Sequence, residues 1–399
     1  MNTQPLHPVG LKSQAVNFQA TPPLSLYIHI PWCVRKCPYC DFNSHEARGE
    51  PPEQAYVDAL VRDLELALPQ IWGRKVYSIF IGGGTPSLFS GEALTCLLTQ
   101  VRMLLPLAHD AEITLEANPG TVEAARFAAY REAGVNRLSL GIQSFNDTHL
   151  RALGRIHSAD EARRAIEMAQ RNFDNVNLDL MYALPRQSLK QALQDVQTAL
   201  SFAPQHLSCY HLTLEPNTLF AHQPPPLPDD DASSEMQNQI ETLLAAHGYE
   251  HYETSAFAQP KRRSRHNLNY WQFGDYLGIG AGAHSKLSFH DRVMRQARYK
   301  QPQAYQGALE QGSPVQDEYL LGKGDLAFEF MMNALRLNGG FDETLFQERT
   351  SLPLLLIRNE LAEAVKRGLL SRDGQHIAPT KLGQRFLNDL LEIFLAPKN

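Results

Sequence analysis

Three cysteines fall within eight positions, Cys33, Cys37 and Cys40, in the spacing C-x3-C-x2-C. Thiolates gathered this closely serve one of two metals. A structural zinc site takes four ligands, and Asp41 or His45 stands near enough in sequence to supply the last. An iron–sulfur cubane has four iron corners, so three thiolates leave one iron open to a ligand from outside the chain. A disulfide framework fits poorly, because five cysteines are an odd count and Cys96 and Cys209 sit in apolar surroundings that suit buried thiols. Cysteine usage of this kind points to a reducing, cytoplasmic environment. The spacing by itself leaves zinc and iron–sulfur both open.

A second motif, Gly82-Gly83-Gly84-Thr85-Pro86, follows a β-rich run that ends at Ile81. Glycine lets a backbone come close to a ligand and expose its amides. The fragment lacks the Lys-Ser/Thr of a phosphate loop and the G-x-G-x-x-G spacing of a dinucleotide site. Acids and amides recur at the ends of other β-rich runs: Glu116 to Asn118, Gln143, Asp179, and Thr213 to Glu215.

The elements that must position these groups are strands alternating with helices. Strands are expected at Leu26–Ile30, Val76–Ile81, Glu112–Glu116, Arg137–Gly141, Val176–Met181 and His206–Leu214. Between them lie amphipathic helical stretches, one of which starts with the cap Ser90 and the acid Glu92. Six β–α units in series imply a parallel sheet. Periodicity does not separate an open sheet from a barrel, but polar residues at successive strand ends lean towards a barrel, where working residues gather at the strand C-termini.

Beyond residue 250 the pattern changes. A strand is expected at Tyr249–Ala256, then a basic run, Lys261–Arg265, then an aromatic and glycine-rich stretch from His266 to His284. After Gly322 helices are expected at Asp325–Leu337 and Leu355–Arg367. A hairpin over Leu369–Pro379 turns at Asp373–Gly374, and a last helix capped by Thr380 ends near Phe394, which together resemble a winged-helix module. The chain therefore divides into a disordered leader (1–22), a barrel (23–250), a connecting region (251–321) and a C-terminal domain (322–399).

The 399 residues are 43% hydrophobic and 20% charged, ordinary for a globular protein with a sizeable core. A net charge of −6 argues against a general nucleic-acid binder. The C-terminal segment carries ten Lys and Arg against ten Asp and Glu, without the cation excess that DNA reading requires. No apolar run approaches the ~20 residues of a membrane span, and no secretory signal opens the chain.

In the loop after a first strand, the cysteine triad resembles the signature of the radical S-adenosylmethionine (SAM) superfamily. Tyr27-Ile28-His29-Ile30-Pro31 precedes the triad and Gly82–Pro86 follows it. Further matching runs are Glu116-Ala117-Asn118-Pro119, Gly141-Ile142-Gln143-Ser144-Phe145 and Asn177-Leu178-Asp179-Leu180. With them the chain is similar to the anaerobic coproporphyrinogen III oxidase family from about residue 24 onward. The resemblance implies an α/β fold, a radical SAM partial (β/α)6 barrel with a C-terminal, mostly helical, winged-helix-like domain. It implies a [4Fe–4S] cluster on Cys33, Cys37 and Cys40, with SAM chelating the open iron. SAM contacts would be Tyr27, Gly83, Gly84, Thr85, Glu116, Gln143, Arg155 and Asp179, with Tyr39 contributing its backbone. Thr213 aligns with a further contact position but not with its residue type.

Two features depart from the oxidases. Phe42 stands where they carry a fourth cysteine, and His266-Asn267-Leu268-Asn269-Tyr270-Trp271 forms an H-N-x-x-Y-W element. Both resemble the heme chaperone branch of the family, which implies heme as cofactor and cargo and heme-accepting proteins such as cytochromes as partners. In that case His266 would be a heme ligand, Tyr270 and Trp271 would offer flat faces, and Lys261, Arg262, Arg263 and Arg265 would pair with propionates. An electron donor is implied as well, and a homodimer or a transient contact with a membrane protein is compatible with that role. The competing expectation is an enzyme of porphyrin biosynthesis, an oxygen-independent coproporphyrinogen III dehydrogenase.

Overall fold

The computed structural model describes residues 16–121 and 124–395. From Leu24 the chain alternates strand and helix: β1 (Leu24–Ile30), α1 (Glu53–Ile71), β2 (Val76–Gly83), α2 (Gly91–Leu104), β3 (Leu107–Ala117), α3 (Ala124–Ala133), β4 (Arg137–Gln143), α4 (Ala159–Asn172), β5 (Val176–Tyr182), α5 (Leu189–Ser201) and β6 (His206–His211). The strands are buried along nearly their whole length, as parallel strands covered by crossover helices usually are. Local signals start the helices where expected. Ser90 accepts from the Ala93 amide, and Ser158 with Glu161 and Ser188 with Gln191 form reciprocal capping boxes.

The chain continues through α6 (Asp230–Ala246), β7 (Glu250–Glu253), β8 (Ala256–Ala258), α7 (Arg265–Trp271), β9 (Asp275–Ile279), β10 (His284–Ser288), β11 (Val293–Arg298), α8 (Pro302–Glu310) and β12 (Val315–Leu320). One 12-stranded sheet results, in the order β12-β11-β10-β9-β1-β2-β3-β4-β5-β6-β8-β7. The strands from β9 through β6 run parallel, and antiparallel strands extend both ends. The sheet does not close, since its terminal strands β12 and β7 are not paired.

Three expectations change here. The parallel strand β9 lies within the aromatic and glycine-rich stretch, where no strand is expected; all five of its residues are buried, so it shows no alternation to betray it. The single strand expected at Tyr249–Ala256 is the hairpin β7–β8, and the strand expected to reach Leu214 stops at His211. The H-N-x-x-Y-W element is the helix α7, laid across the N-terminal halves of β1, β2 and β3. Its Arg265 and His266 amides donate to Glu112 Oε1 (3.0 and 3.1 Å), and Asn269 Nδ2 donates to Ser25 Oγ (2.9 Å).

The C-terminal part has α9 (Lys323–Ala334), β13 (Phe341–Asp342), α10 (Glu343–Thr350), α11 (Arg358–Lys366), β14 (Leu370–Asp373), β15 (His376–Pro379), α12 (Lys381–Arg385) and α13 (Leu387–Glu392). Its three strands pair in the order β13-β15-β14, and Gly374 takes φ +58° in the hairpin turn expected there. The last helix, expected to be continuous, breaks at Phe386 (φ −112°, ψ 50°). A separate core around Phe330, Phe341 and Phe346 also takes in Phe18. Residues 1–15 of the expected leader lie outside the described residues, whereas Phe18 is buried and Ser351 bonds both backbone groups of Asn17 (2.6 and 3.1 Å).

A buried ion pair ties the sheet extension to the first crossover. Arg298 of β11 lies 3.1 Å from Asp63 of α1, and Asp63 also accepts from Tyr305 Oη (2.9 Å) and the Gly280 amide (3.1 Å). Every oxygen of that carboxylate has a donor, which a buried charge requires.

Candidate functional site

The cysteine loop leaves β1 at Pro31 and is clamped to the glycine turn that ends β2. The Gly84 amide donates to Ile30 O (2.8 Å) and the Thr85 amide to Trp32 O (2.7 Å). Side chains would not fit at this join. A Cβ at Gly83, where φ is +118°, would lie 2.6 Å from the His29 ring, and one at Gly84 would lie 2.5 Å from Trp32 O. The Gly83 amide donates to Glu116 Oε2 (3.1 Å). The turn's amides are thus taken up within the protein, contrary to the expectation that glycine exposes them for a ligand.

His29 braces the loop from below. Its Nε2 faces Asn43 O (2.8 Å), and a carbonyl only accepts, so Nε2 carries the proton and Nδ1 accepts from Tyr27 Oη (3.0 Å). Burial holds this imidazole down at about 4, so it is neutral.

A cavity of about 720 Å3 opens on Cys33, Cys37 and Cys40 and reaches Gly83, Gly84, Thr85, Glu116, Gln143, Arg155 and Asp179. Tyr39 and Thr213 also line it, while Tyr27 lies on an adjoining cavity. The described residues hold no group of three His, Cys, Asp or Glu side chains close enough to grip a single ion. His45 Nε2 faces Lys300 O (3.3 Å) instead of the thiols. All three thiols are unbridged and line one cavity, a donor set that fits three iron corners of a cubane. Burial pushes the Cys33 and Cys40 thiols up, so a metal bound there would have to favour their thiolates by its charge.

Arg155 brings a fixed cation to this rim. Its Nη1 points at Cys37 Sγ (3.8 Å), and its Nη2 donates to Gly141 O (2.8 Å) and to Asn118 Oδ1. Glu116 is pushed up to about 8, first by burial and then by Asp179. Asp179 is raised by burial too, although it accepts from Ser139 Oγ (2.8 Å) and Asn177 Nδ2 (2.9 Å). Burial raises both carboxyls, Glu116 near the end of β3 and Asp179 in the middle of β5, and a cation arriving beside them would favour their ionised forms as acceptors from hydroxyl or ammonium donors.

A second cavity, about 1460 Å3, shares Cys40, Phe80, Glu116 and Trp271 with the first. His266 lies on its wall, 8% exposed, with Nδ1 3.1 Å from Ser78 Oγ and its ring centroid 5.1 Å from that of Phe80. Burial, then Arg137, pushes this imidazole down to about 3. Tyr270 and Trp271 meet edge to face nearby, at 5.2 Å. The basic run is not at this cavity: Arg263 pairs with Glu250 and Arg265 with Asp110, each at 3.0 Å. The cavity's cations are Lys36, Arg295 and Lys300.

Sequence reasoning missed Arg137, the first residue of β4. It is 2% exposed, lines the first cavity, and its Nε has no hydrogen-bond partner among the described residues. The alternation Arg137, Ser139, Gly141 against Leu138, Leu140, Ile142 was the available signal, since period two puts the polar set on the inner face. Arg336, whose guanidinium lies 4.4 Å over the Trp271 ring, was missed as well, and no local pattern marks it.

Residues 27–199 match the family model of the radical SAM superfamily, and residues 321–386 match the HemN C-terminal domain. A protein named heme chaperone HemW from Escherichia coli is 52% identical over 94% of this chain and 99% of its own length. Its namesake from Haemophilus influenzae is 48% identical over 94% of this chain and 98% of its own. Among solved structures, the radical SAM enzyme coproporphyrinogen III oxidase (HemN) from Escherichia coli superposes with a TM-score of 0.80 at 25% identity. That match covers 94% of this chain and 90% of the oxidase. None of the described helices is long and apolar enough to cross a membrane.

Proposed function

The chain belongs to the radical SAM superfamily and, within it, to the family of the heme chaperone HemW, and on that premise we propose that it binds heme and hands it to acceptor hemoproteins. Membership of the superfamily implies SAM and a [4Fe–4S] cluster. Cys33, Cys37 and Cys40 would hold the cluster, with SAM against Tyr27, the Tyr39 backbone, Gly83, Gly84, Thr85, Glu116, Gln143, Arg155 and Asp179. When bound, the pair supplies one-electron chemistry at SAM. The chain's own part is electrostatic. Arg155 sets a positive charge beside Cys37, while Glu116 and Asp179 offer oxygens to a ribose or an ammonium group.

The observation that carries the heme reading is the cavity of about 1460 Å3 beside the cluster cavity, with His266, Tyr270 and Trp271 on its wall. An imidazole in a cavity with aromatic walls suits a porphyrin iron. Phe42 adds support, because it offers no ligand where the oxidases carry a fourth cysteine, and its side chain is 60% exposed. Cytochromes in need of heme would be the acceptors, with the exchange in the cytoplasm and an electron donor feeding the cluster.

Heme titration of reconstituted protein, followed by transfer to an apo-cytochrome, tests this reading. Saturable binding and transfer support it, and absence of binding rejects it. The likeness to coproporphyrinogen III oxidase favours a second reading, oxidative decarboxylation of coproporphyrinogen. Anaerobic incubation with coproporphyrinogen, SAM and a reductant separates the two: catalytic formation of protoporphyrinogen would sink the chaperone-only reading.

A further inference from the structure

Beyond β1, the inner face of the sheet carries an imidazole that no element of the cluster site engages. Strand register places it. Tyr27 pairs with Phe80 on one side and Gly278 on the other, and His284 pairs with Ala297. Tyr276 opposes Lys286, Lys286 opposes Arg295, and Arg295 opposes Tyr319. Directly opposed residues project to the same face, as do residues two apart on a strand. Tyr27, Tyr276, His284, Arg295 and Tyr319 therefore share one face, and all of them line the second cavity.

Around His284 that face carries little side-chain bulk. Two of the smallest residues flank it, Gly278 on β9 and Ala297 on β11, and a Cβ at Gly278 would come within 2.1 Å of the His284 carbonyl oxygen. The His284 side chain is exposed, and its ring has no hydrogen-bond partner among the described residues. Tyr27, Tyr276 and Tyr319 stand around this floor, with Lys300 at its solvent edge. Arg295 is already engaged, by Glu329 and by Tyr276 Oη (2.5 Å each).

We propose that His284 supplies an imidazole ligand to the iron of a heme laid on this face, at the mouth of the second cavity. The proposal rests on the heme-binding reading and deepens it. A flat macrocycle needs a floor without bulky side chains, aromatic neighbours and a donor nitrogen free to reach the iron, and Gly278 with Ala297, the three tyrosines and His284 match those needs. Lys300 and Lys36 lie where propionates would reach solvent. His266 sits inside the cavity with one nitrogen committed to Ser78, whereas His284 lies where an acceptor protein can approach the iron.

The test is titration of ferric heme into the full-length, cluster-reconstituted protein and its variants, read by Soret absorbance and EPR. His284→Ala should weaken binding at least tenfold and change the ligation signature from that of wild type, with free imidazole restoring the wild-type spectrum. His284→Met, which keeps a ligand of different field, should shift the spectrum while retaining binding. His290→Ala, which removes an exposed imidazole outside the cavity, should change neither. Iron content and far-UV circular dichroism confirm that the variants are folded. His284→Ala with wild-type affinity and spectrum overturns the proposal while leaving heme binding in place. Wild-type protein that takes up no heme removes the reading beneath it.

Discussion

Replacing Gly84 with alanine should detach the cysteine loop from the glycine turn without unfolding the protein. The added methyl would lie 2.5 Å from Trp32 O, 2.8 Å from its carbonyl carbon and 2.9 Å from that of Pro31, all backbone atoms. Ordinary contact begins at 3.4 Å, so the loop backbone must retreat by about 0.9 Å. That retreat breaks the Thr85–Trp32 and Gly84–Ile30 hydrogen bonds, worth ~1 kcal/mol each. Overpacking adds ~1–3 kcal/mol, for a total of ~3–5 kcal/mol. Domains of ordinary stability survive such a loss, so the cheapest relief is to displace the loop. Anaerobic reconstitution of Gly84→Ala should give iron and sulfide below about a tenth of wild type, a hundredfold weaker site at ~2.7 kcal/mol of the strain. Circular dichroism should show the wild-type fold. Gly324→Ala, where nothing lies within 4 Å, is the control; in the first turn of α9 it should keep its iron and gain up to ~1 kcal/mol. Wild-type iron content and thermal midpoint in Gly84→Ala would refute the steric argument.

Other perturbations have equally defined outcomes. Cys33→Ala, Cys37→Ala and Cys40→Ala should each abolish iron and sulfide uptake while Cys96→Ala retains it; unchanged content in any triad variant sinks the cluster assignment. Glu116 titrates near about 8 rather than 4.5, so the stability tied to its neutral form is complete below about 4.5 and is lost as pH rises through about 8. Cofactor-free protein should therefore weaken in urea between about pH 5 and about pH 8 by up to a few kcal/mol and change little above that. Glu116→Gln, which still accepts from the Gly83 amide, should show a shallower fall, and equal slopes would contradict this account. Asp63→Ala strands Arg298 and should cost ~3–5 kcal/mol, most of it recovered in Asp63→Leu/Arg298→Met; an additive double variant would show that the two charges do not act as a pair.

The barrel strands were legible because each β–α unit carries its own period and its own caps, and the triad because ligand spacing is local. What the sequence hid is non-local. β9 enters beside β1 some 250 residues downstream, and nothing in Asp275–Ile279 records its neighbour. The basic run at Lys261–Arg265 looked like a propionate clamp, yet Glu250 and Asp110, brought near only by folding, claim two of its arginines. The glycine turn was located correctly, but the use of its amides depends on Ile30, Trp32 and Glu116 across two other strands. The H-N-x-x-Y-W element was noticed for its chemistry, whereas its helical form and its place beneath β1–β3 come from Glu112 and Ser25.

Phe80, Glu116 and Trp271 are walls of both cavities at once. A molecule in either chamber therefore meets side chains whose position and ionisation the other occupant also feels. Thermodynamic linkage makes such an arrangement reciprocal: whatever factor SAM applies to the affinity for a ligand in the second cavity, that ligand applies to SAM. A loading signal and a cargo signal would then be one free energy measured from two ends.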